Sequence, residues 1–185
     1  YGGLHGMVLM AKPLSLAIEF SLNLIKGNNK DVKIIFPSPQ GRIWNQNIAS
    51  KFSKEKKIIF ICGHYKGIDE RIIMKYVTDE FSIGDFVMTC GEIPTMIMLD
   101  SLVRLIPGTL NNIDSALTDS HSDLLLDNPY YTYPREIFGH SVPEVLLSGH
   151  HSKIKSWQKK EKEEVTKIKR PDIFKKYQQL LKPEE

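Results

Sequence analysis

Apolar residues fall along this chain in two kinds of run. Val32 to Phe36 and Lys57-Ile58-Ile59-Phe60-Ile61-Cys62 are short, nearly continuous blocks, the pattern of strands buried on both faces. Elsewhere the apolar positions recur at helical spacing. Pro13 to Ile25 predicts a helix with Leu14, Ala17, Ile18, Leu22 and Ile25 on one face, proline in its first turn and Gly27 as its stop. Asn45 to Ser53 predicts a second helix with an asparagine near its start, and Asp69 caps a third that runs through Tyr76. Ile93 to Leu105 predicts a fourth, with Pro94 in its first turn and Met98, Leu102 and Leu105 on its apolar face. Arg104 stands near its end, where a cation suits the helix dipole, and Pro107-Gly108 terminates it. Apolar strands alternating with helices predict an α/β fold built on a parallel sheet covered on both faces.

Past this point the pattern changes. Asn111 to Asp123 is polar and without periodicity and reads as an interdomain linker, in which Asp119 is on its face a solvated carboxylate. Leu124 to Pro134 is rich in aromatic residues and proline and predicts no single regular element. A basic helix from about Ser152 to Glu164 and a last amphipathic helix, Ile173 to Leu181, predict a small helical domain. The expected organisation is a sheet domain over 1–110, a flexible linker over 111–124 and a helical domain over 125–185.

Composition narrows the class. Of 185 residues 41% are hydrophobic and 25% charged, which excludes wholesale disorder. No apolar run is long enough to span a bilayer, and no signal-peptide core opens the chain. Cys62 and Cys90 are too few for a disulfide framework and lack zinc-ligand spacing, so a reducing cytoplasm is expected and no metal is assigned. The net charge of +3 is unevenly spread: residues 151–185 carry 11 Lys or Arg against 6 Asp or Glu, the first 150 carry 14 against 16. A basic tail on a near-neutral body fits a polyanionic partner or simply a solvated helix face.

In parallel sheets ligands sit beyond the carboxyl ends of strands. Three loops rich in Gly or Pro fall there: Ser38 to Gly41, Gly63 to Gly67, and Ser82 to Pro94. None contains a Walker lysine or a dinucleotide fingerprint. A ligand held by them would be gripped largely by backbone amides and carbonyls, as suits an adenine edge and a ribose. From the residues alone, Ser82 to Pro94 is either a sharp strand-to-helix turn or a ligand-wrapping loop.

Ordered motifs add more. Ser38-Pro39-Gln40-Gly41, Cys62-Gly63-His64-Tyr65-Lys66-Gly67-Ile68-Asp69-Glu70-Arg71, Ser82-Ile83-Gly84-Asp85-Phe86-Val87 and Gly91-Glu92-Ile93-Pro94 occur in sequence. Arg104-Leu105-Ile106-Pro107-Gly108, Leu126-Asp127-Asn128-Pro129-Tyr130-Tyr131-Thr132 and Val145-Leu146-Leu147-Ser148-Gly149-His150 follow. Together they resemble the bacterial tRNA (guanine-N1)-methyltransferase family of the SPOUT superfamily over essentially the whole chain. The resemblance implies a SPOUT-type parallel sheet with a deep trefoil knot, a small α-helical C-terminal domain that grips tRNA, and a homodimer. It implies S-adenosylmethionine held by Ser38, Pro39, Gly63, Tyr65, Ile83, Gly84, Asp85, Phe86, Val87, Met88, Cys90, Gly91 and Pro94. It implies Asp119 as catalytic base, Arg104 as its cationic assistant and Asp127 near the methionine end of the cofactor. Lys155, Lys159 and Lys169 are expected to meet tRNA phosphates, with neither DNA nor membrane as a partner. A stretch preceding Tyr1 is also implied.

Four places depart from the family pattern: Leu4-His5 in the opening loop, His64 and Lys66 where the family usually has Arg and Glu, and Cys90 where a glycine is expected. These departures leave open a homologue that binds S-adenosylmethionine or tRNA without turnover. The basic tail leaves open a plain RNA-binding module.

Overall fold

The structure is a computed structural model and describes residues 6–26, 31–110 and 119–181. Gly27, Leu4, His5 and the 111–118 part of the expected linker lie outside the described residues. The chain divides into two compact units, Tyr1–Asn111 and Asn112–Glu185. Each is described by itself.

The first unit holds helix α1 (Ala11–Leu24), strand β1 (Lys33–Ile43), helix α2 (Gln46–Phe52), strand β2 (Ile58–Phe60), helix α3 (Glu70–Tyr76), strand β3 (Asp79–Ser82) and helix α4 (Glu92–Val103). The sheet is parallel with the order β2-β1-β3, so the chain goes out to one side of β1 and then crosses back to the other. Alternation along β1 decides what covers each face. Ile34 and Phe36 join Ile18 and Leu22 of α1 and Ile72 and Tyr76 of α3 in one core. Ile35, between them in sequence, joins Phe52 of α2, Phe81 of β3, and Met98 and Leu102 of α4 in the other. Trp44 and Phe52 both pack on Phe81, with ring centroids 5.0 and 5.3 Å away in edge-to-face arrangements. The Trp44 indole N–H is satisfied by Ser101 Oγ at 2.8 Å.

Local chemistry sets the helix starts. Asn45 accepts the backbone N–H of Ile48 at 3.1 Å, and Asp69 accepts that of Arg71 at 3.0 Å, each relieving an orphan donor of the first turn. The Arg71 guanidinium also grips Asp69, and these hydrogen bonds bring that carboxyl down to about 2. The expected end of the first strand moves. Rather than closing at Phe36, β1 pairs with Phe81 through Pro37, leaves the ladder over residues 38–41, and pairs with Phe81 again through Arg42. Periodicity reads this as a stop because two prolines lack ladder donors. The return is possible because Gly41 has no side chain: a Cβ there would meet Phe81 N at 2.4 Å.

The second unit contains a hairpin of β4 (Glu136–Ile137) and β5 (His140–Ser141), then α5 (Glu144–Leu147), α6 (His151–Lys169) and α7 (Pro171–Leu181). The hairpin was not expected. Its turn residues, Phe138 at φ 55° and Gly139 at φ 75°, lie in the left-handed region that two-residue hairpins need. Residues 119–127 form hydrogen-bonded turns: the His121 N–H reaches Leu125 O at 2.8 Å and the Asp127 N–H reaches Ser120 Oγ at 2.9 Å. Thr166, fully buried on α6, accepts the Leu126 N–H at 2.8 Å and donates to Lys162 O at 2.6 Å. Among the described residues no helix is long and apolar enough to cross a membrane.

Candidate active site

The carboxyl ends of all three parallel strands open into one cleft. Phe36, Pro37, Ser38 and Pro39 line it from β1, Gly63 to Gly67 from beyond β2, and Phe81 to Gly84, Phe86 to Gly91 and Pro94 from β3 to α4. This is where a parallel sheet gathers loops from separate βα units. Backbone fixes its floor. Gly91 N–H donates to Gly63 O at 2.7 Å, and a Cβ on Gly91 would lie 2.5 Å from Gly63 N. A Cβ on Gly63 would in turn lie 2.9 Å from Phe36 Cε2. Gly91 is required by the close approach of two backbone segments, and a side chain at Gly63 would have to displace the Phe36 ring.

The β3–α4 loop is shaped by its own polar groups. Ser82 Oγ donates to Gly84 O at 2.9 Å and accepts the Gly84 N–H at 3.1 Å, and the Phe86 N–H closes onto Gly84 O at 3.0 Å. Gly84, at φ 148°, adopts a backbone conformation that side chains disfavour. This tight turn centres on Asp85, which stands exposed and outside the cleft lining, while Phe86 and Val87 line it with more than half their surface still accessible. Cys90, in contrast, lines the cleft directly and bridges to His64 in an antiparallel pair.

Of the thirteen first-unit residues implied for the cofactor, the structure therefore gathers twelve around one cleft and leaves Asp85 outside it. Sequence reasoning missed His64 as a partner of Glu92. His64 Nε2 lies 2.7 Å from Glu92 Oε1, and this hydrogen bond, with the helix-start backbone N–H and Cys90, holds the Glu92 carboxyl below its usual range. Glu92 is the first residue of α4, where a carboxylate also suits the dipole. Lys66 lines the cleft as well, so three of the departures from the family pattern, His64, Lys66 and Cys90, do so. No side-chain cluster with the makings of a metal site occurs among the described residues.

Arg104 caps the C-terminal end of α4, its N–H bonded to Asp100 O at 3.3 Å. Asp119 and Asp127 belong to the second unit, where the charges of both act on Tyr130. Asp127 Oδ2 accepts the Tyr130 hydroxyl, its Oδ1 accepts the Asn128 N–H at 2.8 Å, and Lys162 Nζ lies 3.8 Å from Oδ1 and 3.3 Å from Asp123 Oδ2. The Asp127 hydrogen bond, partial burial and the charges of Asp127 and Asp119 push the Tyr130 phenol up to about 12. It is therefore a donor throughout the neutral range. Lys155, Lys159 and Lys169 are all exposed on α6.

A parallel α/β unit with a backbone-floored cleft at its crossover, followed in the chain by a small unit carrying a lysine-rich helix, defines an α/β protein with a candidate ligand cleft and a basic helical unit. Comparisons with known proteins narrow this. A family model described as tRNA (Guanine-1)-methyltransferase TrmD matches residues 1–176. The chain is 46% identical over 177 residues to the tRNA (guanine-N(1)-)-methyltransferase of Lachnospira eligens, covering 96% of this chain and 74% of that protein. It is 47% identical over 176 residues to the enzyme of that name from Clostridioides difficile (95% and 75% covered), and 49% over 176 residues to that of Brevibacillus brevis (95% and 70%). The chain belongs to the TrmD family of tRNA (guanine-N1)-methyltransferases.

Proposed function

We propose that this protein transfers a methyl group from S-adenosylmethionine to N1 of the guanine immediately 3′ of a tRNA anticodon. The observation that carries the reading is the cleft in a chain of this family: twelve residues that the resemblance implies for the cofactor surround it. The fit is physical as well. A lining of glycines, prolines and apolar side chains over a floor of backbone amides and carbonyls suits a flat purine and its ribose better than a phosphate chain. Bound there, the cofactor would supply a methyl group already activated by its sulfonium. The trefoil knot, the homodimer and the cytoplasmic setting belong to the same proposal. A dimer is supported by α4, which buries Pro94, Met98 and Leu102 yet exposes Ile93, Met96, Ile97 and Leu99, and by exposed Leu16, Phe20 and Leu24 on α1. Free Cys62 and Cys90 fit a reducing compartment.

Guanine N1 carries a proton at neutral pH and is a poor nucleophile until a base takes it. Asp119 accepts that proton. The negative charge then develops on the guanine carbonyl oxygen, and Arg104 stabilises it there. Asp127 orients the cofactor's methionine end. The domain reading follows: the first unit binds the cofactor, and Lys155, Lys159 and Lys169 of the second neutralise tRNA phosphates. The readings as a homologue without turnover or as a bare RNA-binding module are not favoured, since the named relatives over nearly the whole chain are methyltransferases.

A methyl-transfer assay tests this, using unmodified tRNA with guanine 3′ of the anticodon and a variant tRNA without it. Equal labelling of the two defeats the site assignment. Asp119→Asn is expected to lower turnover by roughly a hundredfold or more, the scale of general-base catalysis, while S-adenosylmethionine affinity survives. Unchanged turnover removes Asp119 from the role.

A further inference from the structure

Lys162 is a long cationic side chain that the second unit keeps almost entirely from water: only 13% of it is accessible. A lysine held so far inside is retained where its ammonium has partners. Its partners include two carboxylates of the 119–128 segment: Asp123, hydrogen-bonded at 3.3 Å, and Asp127, an ion-pair neighbour at 3.8 Å. Of these, Asp123 is half exposed and readily hydrated, whereas Asp127 is itself only 16% accessible. The ammonium therefore matters more to Asp127. The same turn of α6 holds the segment a second time, through the buried Thr166 hydroxyl on the Leu126 N–H at 2.8 Å. On the other side, Tyr130 fixes the second oxygen of Asp127.

We propose that Lys162 is a positioning residue for Asp127, tethering its carboxylate to α6 so that, together with Tyr130, it fixes the orientation in which Asp127 meets the cofactor. The proposal rests on the reading of Asp127 as a cofactor-facing acid. Lys162 touches neither cofactor nor tRNA in this role and acts through the carboxylate alone. With the ammonium gone, Oδ1 keeps the Asn128 N–H but loses its tie to the helix.

The test is calorimetric titration of the full chain with S-adenosylmethionine, alongside steady-state kinetics, for Lys162→Met, Lys162→Arg, Asp127→Asn and the Lys162→Met/Asp127→Asn double variant. Lys162→Met is expected to weaken cofactor affinity by up to roughly tenfold, the scale of one lost ion pair shielded from water, and to raise KM with kcat little changed. Lys162→Arg is expected to recover most of that loss. The double variant is expected to bind no more weakly than Asp127→Asn alone, because both changes break one interaction. A merely structural lysine would lower thermal stability and give losses that add. Additive losses, or full affinity in Lys162→Met, overturn the proposal while a clear effect of Asp127→Asn leaves the reading of Asp127 standing. No effect of Asp127→Asn defeats that reading and the proposal with it. Should Lys162→Met fail to fold by circular dichroism, Lys162→Gln keeps a polar end of similar reach and is judged by the same cycle.

Discussion

The two units are built on opposite principles. The first buries Ile34, Ile35, Phe81 and Met98 completely, in cores on both faces of a parallel sheet. In the second, Leu125 and Ile173 are the buried hydrophobic residues among those described, and Asn128 and Thr166 are buried beside them as polar groups. Its segments are joined by hydroxyls and charges: Thr166 to Leu126, Lys162 to Asp123 and Asp127, the Tyr177 hydroxyl to Glu163 at 3.1 Å, and an Arg170 fork on Asp172. Apolar burial is insensitive to direction and sets a scaffold; hydrogen bonds are directional and set where particular atoms point. A cleft that needs two backbones in contact at Gly63 and Gly91 is found on the scaffold. The carboxylates proposed for proton transfer and cofactor orientation are found in the polar unit, where Tyr130, the Asn128 N–H and Lys162 hold Asp127.

The comparison can be broken most sharply in the first unit. Phe81→Ala is expected to destabilise it by about 3–5 kcal/mol, because the ring is fully buried and holds Trp44 and Phe52 edge-on. Urea unfolding monitored by tryptophan fluorescence measures this. A loss of the size expected at a surface site would mean that Phe81 is not the keystone of that face. Thr166→Val removes one hydroxyl and strands the Leu126 N–H, with an expected cost of about 1–3 kcal/mol. A larger loss from Thr166→Val than from Phe81→Ala would reverse the comparison.

Removing charge from α6 is expected to act on binding and leave the fold intact. Lys155→Ala, Lys159→Ala and Lys169→Ala should each weaken tRNA binding across sequences and reduce the slope of log affinity against log salt by roughly one. Filter binding at several salt concentrations reads this, and an unchanged slope in all three would remove α6 from the phosphate contact surface. The smallest effect concerns pH. The folded Glu92 carboxyl is held below the ordinary value of 4.5, so its favourable contribution is complete above that value and is lost as pH falls through its lower folded value. Because the pair is exposed, the effect should be slight: acid unfolding of Glu92→Gln should diverge from the parent only above that range, and full superposition would discount the pair.

How much of this was legible beforehand differs element by element. The α2 and α3 starts were readable because Asn45 and Asp69 cap within a few residues of their own positions. The α1 and α4 faces were readable because Leu22, Met98 and Leu102 recur at helical spacing. The hairpin at Glu136–Ser141 was not, since its strands are two residues each and its turn carries Phe138 before the glycine. The His64–Glu92 pair joins residues 28 apart and the Lys162–Asp123 pair residues 39 apart, and no local pattern announces either.

The sequence by itself determined that β1 opens on a continuous apolar run buried on both faces, which side chains cap the helices, and which loops are rich in glycine and proline, because these depend on neighbours within a turn or a pleat. The tertiary structure alone decided that β1 leaves the ladder over residues 38–41 and returns to the same Phe81, that Gly91 meets Gly63, and that Lys162 closes on Asp127. Those contacts join segments distant along the chain, and their geometry exists only once the sheet and its helices have fixed where each segment lies.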